Sequence, residues 1–202
     1  MISLPLVYTI LALVAYTSSF WYLFIHLMSK RTPNLWCYGL IVSFGVVLHG
    51  AILYRDMMTP MGVNYNVFNL ISFTSGLMLA LSLILSLIRP ILPLNLIGTP
   101  VAAIGLILGY VFSQPNQVIE QHSLGLDLHI ILSLSAYAVL LMATIHSVLL
   151  WFQDRELKKK QKRRIWVNLL PPFQVMESVL FDLIITGFGL LTAALLFGFF
   201  TI

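Results

Sequence analysis

The chain has 202 residues, 59% of them hydrophobic and 9% charged, with a formal net charge of +4. A mean hydropathy of +0.96 excludes a soluble globular domain and points to a polytopic membrane protein. One cysteine, Cys37, excludes an internal disulfide, and no Cys/His cluster has zinc-site spacing.

The first apolar run, residues 4–27, lacks a basic start and an A-x-A cleavage site, so it reads as a retained helix rather than a signal peptide. It ends at Ser29, Lys30 and Arg31, with Thr32, Pro33 and Asn34 as a turn. The second span covers residues 35–54 and meets Arg55 and Asp56, before a loop containing Pro60 and Gly62. The third, residues 67–88, stops at Arg89 and Pro90, and the fourth follows over residues 91–112. A polar loop, SQPNQVIEQHSLGLD, leads to a fifth span over residues 128–152. Its 25 residues, at about 1.5 Å each, exceed a bilayer core of about 30 Å. Pro171 and Pro172 announce the sixth, residues 173–200. The predicted fold is thus an all-α polytopic transmembrane helix bundle of six spans in a single membrane domain, residues 1–202. The abrupt stop at Ile202 is read as that of a fragment lacking further C-terminal helices.

Charge sets the expected orientation. Arg155, Lys158, Lys159, Lys160, Lys162, Arg163 and Arg164 are seven of the eleven Lys and Arg, and short basic loops are retained in the cytoplasm. With alternating spans, Lys30, Arg31 and Arg89 fall on that same side and only Arg55 on the other, so the amino terminus is expected outside. A pI near 9.3 would suggest nucleic acid in a soluble chain; beside a span it signals topology and attraction to anionic membrane lipid, with no nucleic-acid partner.

Ionisable groups inside a membrane are costly and mark interiors or pathways. His129, Ser133, Tyr137 and Ser147 are expected on one face of the fifth helix, pointing into the bundle, where interhelical hydrogen bonding competes with a cofactor slot. His49 and His129 each lie about one turn from the outer end of their helices. Two imidazoles at matched depth suit the two axial positions of haem iron, and Arg55 suits a propionate. The plainer alternative bonds each histidine to a backbone carbonyl and pairs Arg55 with Asp56. The candidate cofactor contacts are therefore His129, His49, Arg55 and Tyr137, the two histidines being the candidate iron ligands. Asp182, two turns inside the sixth helix, is expected to meet His146, at similar depth. Asn69, Ser72 and Gly76 form a small polar face suited to close helix packing, while His26, His122 and Glu120 read as interfacial or solvated. No phosphate loop, nucleophile elbow or zinc-protease motif is present, and no enzymatic role is assigned.

The run LHIILSLSAYAVLLMATIHSVLLWFQDRELKKK, preceded by NVFNLISFTSG and followed by LPPFQVMESVLFDLIITGFGLLTAALLFGFF, resembles the YpjD-like, HemX-like and CcsA-like branch of the cytochrome c assembly family over essentially the whole chain. The resemblance implies a multi-pass protein of the bacterial inner membrane that handles haem b. Its implied partners are apocytochrome or other cytochrome c assembly proteins; in HemX-like members it implies control of haem biosynthesis. It also implies that His129 is an outward-facing haem ligand, with His49 in a supporting part. The Trp-rich loop of the haem-delivering relatives follows the sixth helix, and none of Trp21, Trp36, Trp151 or Trp166 lies in such a motif. A non-haem transporter or structural partner protein, with Asp182 and the histidines as proton-linked or packing groups, is the alternative reading.

Overall fold

The computed structural model describes residues 4–29, 31–60, 62–112, 118–119, 124–159 and 170–201. Six long helices run in order: α1 (Leu4–Met28), α2 (Leu35–Met57), α3 (Val67–Ile88), α4 (Asn95–Phe112), α5 (Leu124–Leu157) and α6 (Phe173–Thr201). All six are long and apolar enough to cross a membrane, so this is a multi-pass helical bundle.

Local chemistry sets the helix ends. The Asn34 side chain accepts from the backbone N–H groups of Trp36 at 3.0 Å and Cys37 at 3.3 Å, capping α2. Asn66 accepts from Phe68 N–H at 2.9 Å and caps α3. Arg89 leaves the helical region because Pro90 follows it, and a single 3-10 turn, Leu92–Leu94, precedes α4. The fourth span therefore starts as a tight turn rather than as continuous α-helix from residue 91. At the foot of α6, Val175 and Met176 N–H groups donate to Pro172 O, and Gln153 Nε2 donates to Pro171 O at 2.8 Å, tying α5 to α6.

Two further expectations change. The stretch holding Pro60 and Gly62 is a hairpin, β1 (Met58–Thr59) and β2 (Gly62–Asn64), extended by β3 (Val118–Ile119) into a three-stranded antiparallel sheet. Gly62 sits at φ 138°, a backbone conformation that a side chain would strain, and Thr59 pairs with it in register. Helix α5 has 34 residues instead of 25, because residues 124–127 add four ahead of the apolar run and residues 153–157 add five beyond it.

Helices α1 to α4 form a ring in which α1 packs on α2 and α4, and α3 on α2 and α4. Its core holds Tyr16, Leu23, Tyr38, Val42, Leu79 and Leu106. Helices α5 and α6 pair with each other, and α5 leans on α3. Met78, Val139, Met142, Met176 and Val179 fill the second core there. Small residues allow the close crossings. Gly105 and Gly109, four apart on α4, face Ser75 and Ser72 of α3, where an added Cβ would stand 1.9 Å from Ser75 Oγ and 2.8 Å from Ser72 Cβ.

Candidate functional site

The bundle has two chemically different ends. Arg31, Arg89, Arg155, Lys158 and Lys159 lie at the basic end, and the sheet, Arg55, Tyr65 and Asp127 at the other, the sheet end. Lys158 pairs with Asp154 at 2.6 Å, Lys159 pairs with Glu156, and the Arg155 guanidinium lies over the Trp151 ring at 5.5 Å. Residues 160–164, the rest of the basic run, lie outside the described residues, as do Glu120 and His122.

His129 sits in the second turn of α5 against α6. Its Nδ1 is 2.7 Å from the Ala194 carbonyl oxygen. A carbonyl oxygen can only accept, so Nδ1 carries the proton and donates, which leaves the lone pair on Nε2. Gly198 makes room for the ring: a Cβ there would approach His129 Nδ1 to 2.8 Å and Cε1 to 2.9 Å. Nε2 has no hydrogen-bond partner among the described residues, and the side chain is half-buried.

His49 has a different environment. It is fully buried where α1, α2 and α3 meet. Its Nδ1 shares a hydrogen bond with the Tyr16 hydroxyl at 3.0 Å and its Nε2 another with Ser72 Oγ at 2.8 Å. The ring lies over Gly76, where a Cβ would come within 3.0 Å of Cε1. As it stands, His49 offers a metal no free nitrogen; it joins three helices. The small polar face of Asn69, Ser72 and Gly76 is the surface that receives it, with Asn69 and Ser72 both buried.

Arg55 is 61% exposed, and its Nη1 lies 3.9 Å from Asp56 Oδ1, too far for a hydrogen bond. Tyr137 is 55% exposed and lines a lateral cleft of about 570 Å³ between α3, α4 and α5. The four candidates are not gathered at one point: His129 faces α6, His49 lies inside the ring, and Tyr137 opens onto the cleft. The expected stripe of His129, Ser133, Tyr137 and Ser147 does not face the interior as a unit, since Tyr137 and Ser147 are exposed. Eight residues at about 100° each overshoot two turns by about 80°, enough to carry Tyr137 off the α6 interface.

The expected contact of Asp182 with His146 is also not formed. Asp182 Oδ2 accepts from Arg89 Nη2 at 3.0 Å, pinning α6 to the exit of α3. His146 is buried with Nδ1 donating to Met142 O at 2.9 Å, and its Nε2 has no hydrogen-bond partner among the described residues. His26 likewise donates from Nδ1 to Tyr22 O at 2.8 Å.

Sequence reasoning missed one polar contact at the sheet end. The Tyr65 hydroxyl donates to Asp127 Oδ1 at 2.9 Å, joining the α3 approach to α5. Burial, then the hydrogen bond and charge of Asp127, push the Tyr65 phenol up to about 12, so it stays protonated and donating at neutral pH. Only the Asx-type spacing of Asn64, Asn66 and Asn69 hinted at an ordered turn here; Asn69 Nδ2 donates to Asn64 O at 3.3 Å.

Among the described residues no three His, Cys, Asp or Glu side chains converge as a metal cluster. A haem fits this chain in one respect: His129 is a pre-oriented imidazole with one nitrogen anchored and the other unpaired among the described residues, the arrangement ligating histidines adopt. Comparison with curated proteins finds no match, and comparison with solved structures finds none either. The family model described as Cytochrome C assembly protein matches residues 4–200, nearly the whole chain, and the protein belongs to that family.

Proposed function

We propose that this chain is a haem-handling component of cytochrome c assembly, of the HemX-like and YpjD-like kind, in which His129 would hold haem b and supply an imidazole nitrogen to its iron. The carrying observation is the His129 geometry: Nδ1 tied to Ala194 O, the ring seated against Gly198, and Nε2 without a hydrogen-bond partner among the described residues. Family membership supports the role in cytochrome c biogenesis. Iron and porphyrin chemistry belong to the cofactor; this chain contributes binding and orientation.

Arg55 supports the reading from the same end of the bundle. Its guanidinium is exposed and not hydrogen-bonded to Asp56, which leaves its donors for a carboxylate such as a propionate. His49 acts on the fold rather than on iron. The cations gathered at the other end favour a sheet end facing away from the cytoplasm of a bacterial inner membrane. An apocytochrome or a second assembly protein would then meet the haem on that side.

The test is the visible spectrum of the purified full-length protein after haem addition. Wild type is expected to show a Soret band that His129→Ala loses, while His49→Ala keeps its absorbance per folded molecule. An equal Soret band in His129→Ala, or a folded wild-type protein that takes up no haem, overturns the proposal.

A further inference from the structure

We infer that the foot of α5 is a binding site for the phosphate of an anionic membrane phospholipid, phosphatidylglycerol in kind, built on Arg155 and Trp151 below a lipid-facing stripe. Leu141, Thr144, Val148, Trp151 and Arg155 follow one another at three- and four-residue spacing and are all exposed, while Met142, His146 and Gln153 of the same helix are buried. One face of α5 is therefore left to the membrane along its lower half.

Charge makes the lower end of that face a site. Its neighbours are committed: Lys158 pairs with Asp154 at 2.6 Å, Lys159 with Glu156, and Arg89 with Asp182 at 3.0 Å. Arg155 has no ion pair among the described residues, and its guanidinium lies over the Trp151 ring, 5.5 Å from the centroid. Residues 157–176 contain no Asp or Glu, so that whole stretch has no carboxylate to offer it. The ring holds the guanidinium without supplying an acceptor oxygen, and the planar N–H fork suits the oxygens of a phosphate.

Depth identifies the phosphate as a lipid's. The apolar run of α5 ends at Phe152, and Trp151 beside it is 55% exposed, a ring of the kind that sits at the membrane boundary. Arg155 is one turn further out, at head-group level. From there Leu141 is 14 residues inward, about 21 Å, or half of a bilayer of about 40–45 Å with its head groups. The Thr144 hydroxyl donates to Leu140 O at 2.9 Å, so the stripe meets an acyl chain with no open donor. Residues 150–170 hold seven Lys and Arg against two acids, which favours a net negative head group. The phosphate of phosphatidylglycerol is uncompensated, whereas that of phosphatidylcholine carries its own ammonium. His129 lies at the opposite end of α5, so the site stands independently of haem binding.

The experiment reads Trp151 directly. The full-length protein carries Trp21→Phe, Trp36→Phe and Trp166→Phe, the first two at exposed rings, and its remaining fluorescence is measured in bilayers with brominated lipids, which quench a ring they touch. Brominated phosphatidylglycerol is expected to outcompete phosphatidylcholine at Trp151 about five-fold, the worth of one cation beside an anionic surface. Arg155→Gln, at an exposed position that spares folding, should bring the two lipids near parity. Lys158→Gln, whose charge is already paired, should change the preference less than about two-fold. Equal quenching by both lipids with Arg155 in place overturns the inference. So does a preference that Arg155→Gln leaves intact, which would assign the lipid to the rest of the basic run.

Discussion

Replacing Tyr16 by Phe separates the two histidines by consequence. The hydroxyl removed is the one that meets His49 Nδ1 at 3.0 Å, in a site with no solvent exposure, so the nitrogen left behind has no water to turn to. Interhelical hydrogen bonds in membranes average about 0.6 kcal/mol and reach about 1.7, because the unfolded chain in the membrane also finds partners. An unpaired buried polar group costs about 1–3 kcal/mol. Full enclosure of His49 and the preserved ring volume argue for the overlap of these ranges, about 1.5 kcal/mol, or roughly ten-fold in the unfolding equilibrium. Reversible unfolding in mixed micelles measures it, and Ser72→Ala, which strips Nε2 instead, should cost a similar amount. The haem spectrum of both variants should match wild type. A Tyr16→Phe protein as stable as wild type refutes the clamp, and one that is stable but loses its Soret band reassigns His49 to the iron.

Gly105→Leu should destabilise more than Tyr16→Phe, since even a Cβ would stand 1.9 Å from Ser75 Oγ; overpacking typically costs about 1–3 kcal/mol, and the unfolding midpoint of the variant reads it. Asp182→Asn should cost under about 1 kcal/mol in the same assay, because the pair with Arg89 is roughly half exposed on both sides and such pairs contribute little. The Tyr65 phenol, raised to about 12, favours the folded state fully below pH 10, and that contribution fades as pH climbs from about 10 through 12. Difference titration of wild type against Tyr65→Phe should report the high midpoint, and Asp127→Asn should lower it.

The six spans were legible because apolar length is a direct consequence of bilayer thickness, and Asn34 and Asn66 mark helix starts by side-chain chemistry. The sheet was not, since strands of two and three residues are too short for an alternating pattern to emerge. Gly105 and Gly109 were readable as a small-residue pair four apart and passed unnoticed among other glycines. At the candidate site, the place of His129 near the start of the fifth span was readable from the sequence, but its anchor, Ala194 O, is 65 residues away and a backbone atom, invisible to any motif. Tyr137 was misplaced because a drift of about 80° was treated as none. Asp182 was assigned to a histidine when an arginine beside Pro90 was in reach, and the stronger ionic partner took it.

Met78 and Leu79 are adjacent on α3, yet Leu79 closes the core of the four-helix ring while Met78 closes the core beneath the α5–α6 pair. One residue is about 100° of rotation, so the helical phase of α3 is shared by both halves of the molecule. A residue inserted in the middle of this helix would turn everything beyond it away from two sets of neighbours at once, whereas the same insertion in a connecting segment would turn none. The identity of each α3 side chain is thus negotiable in size, but its angular address is fixed by two cores at once.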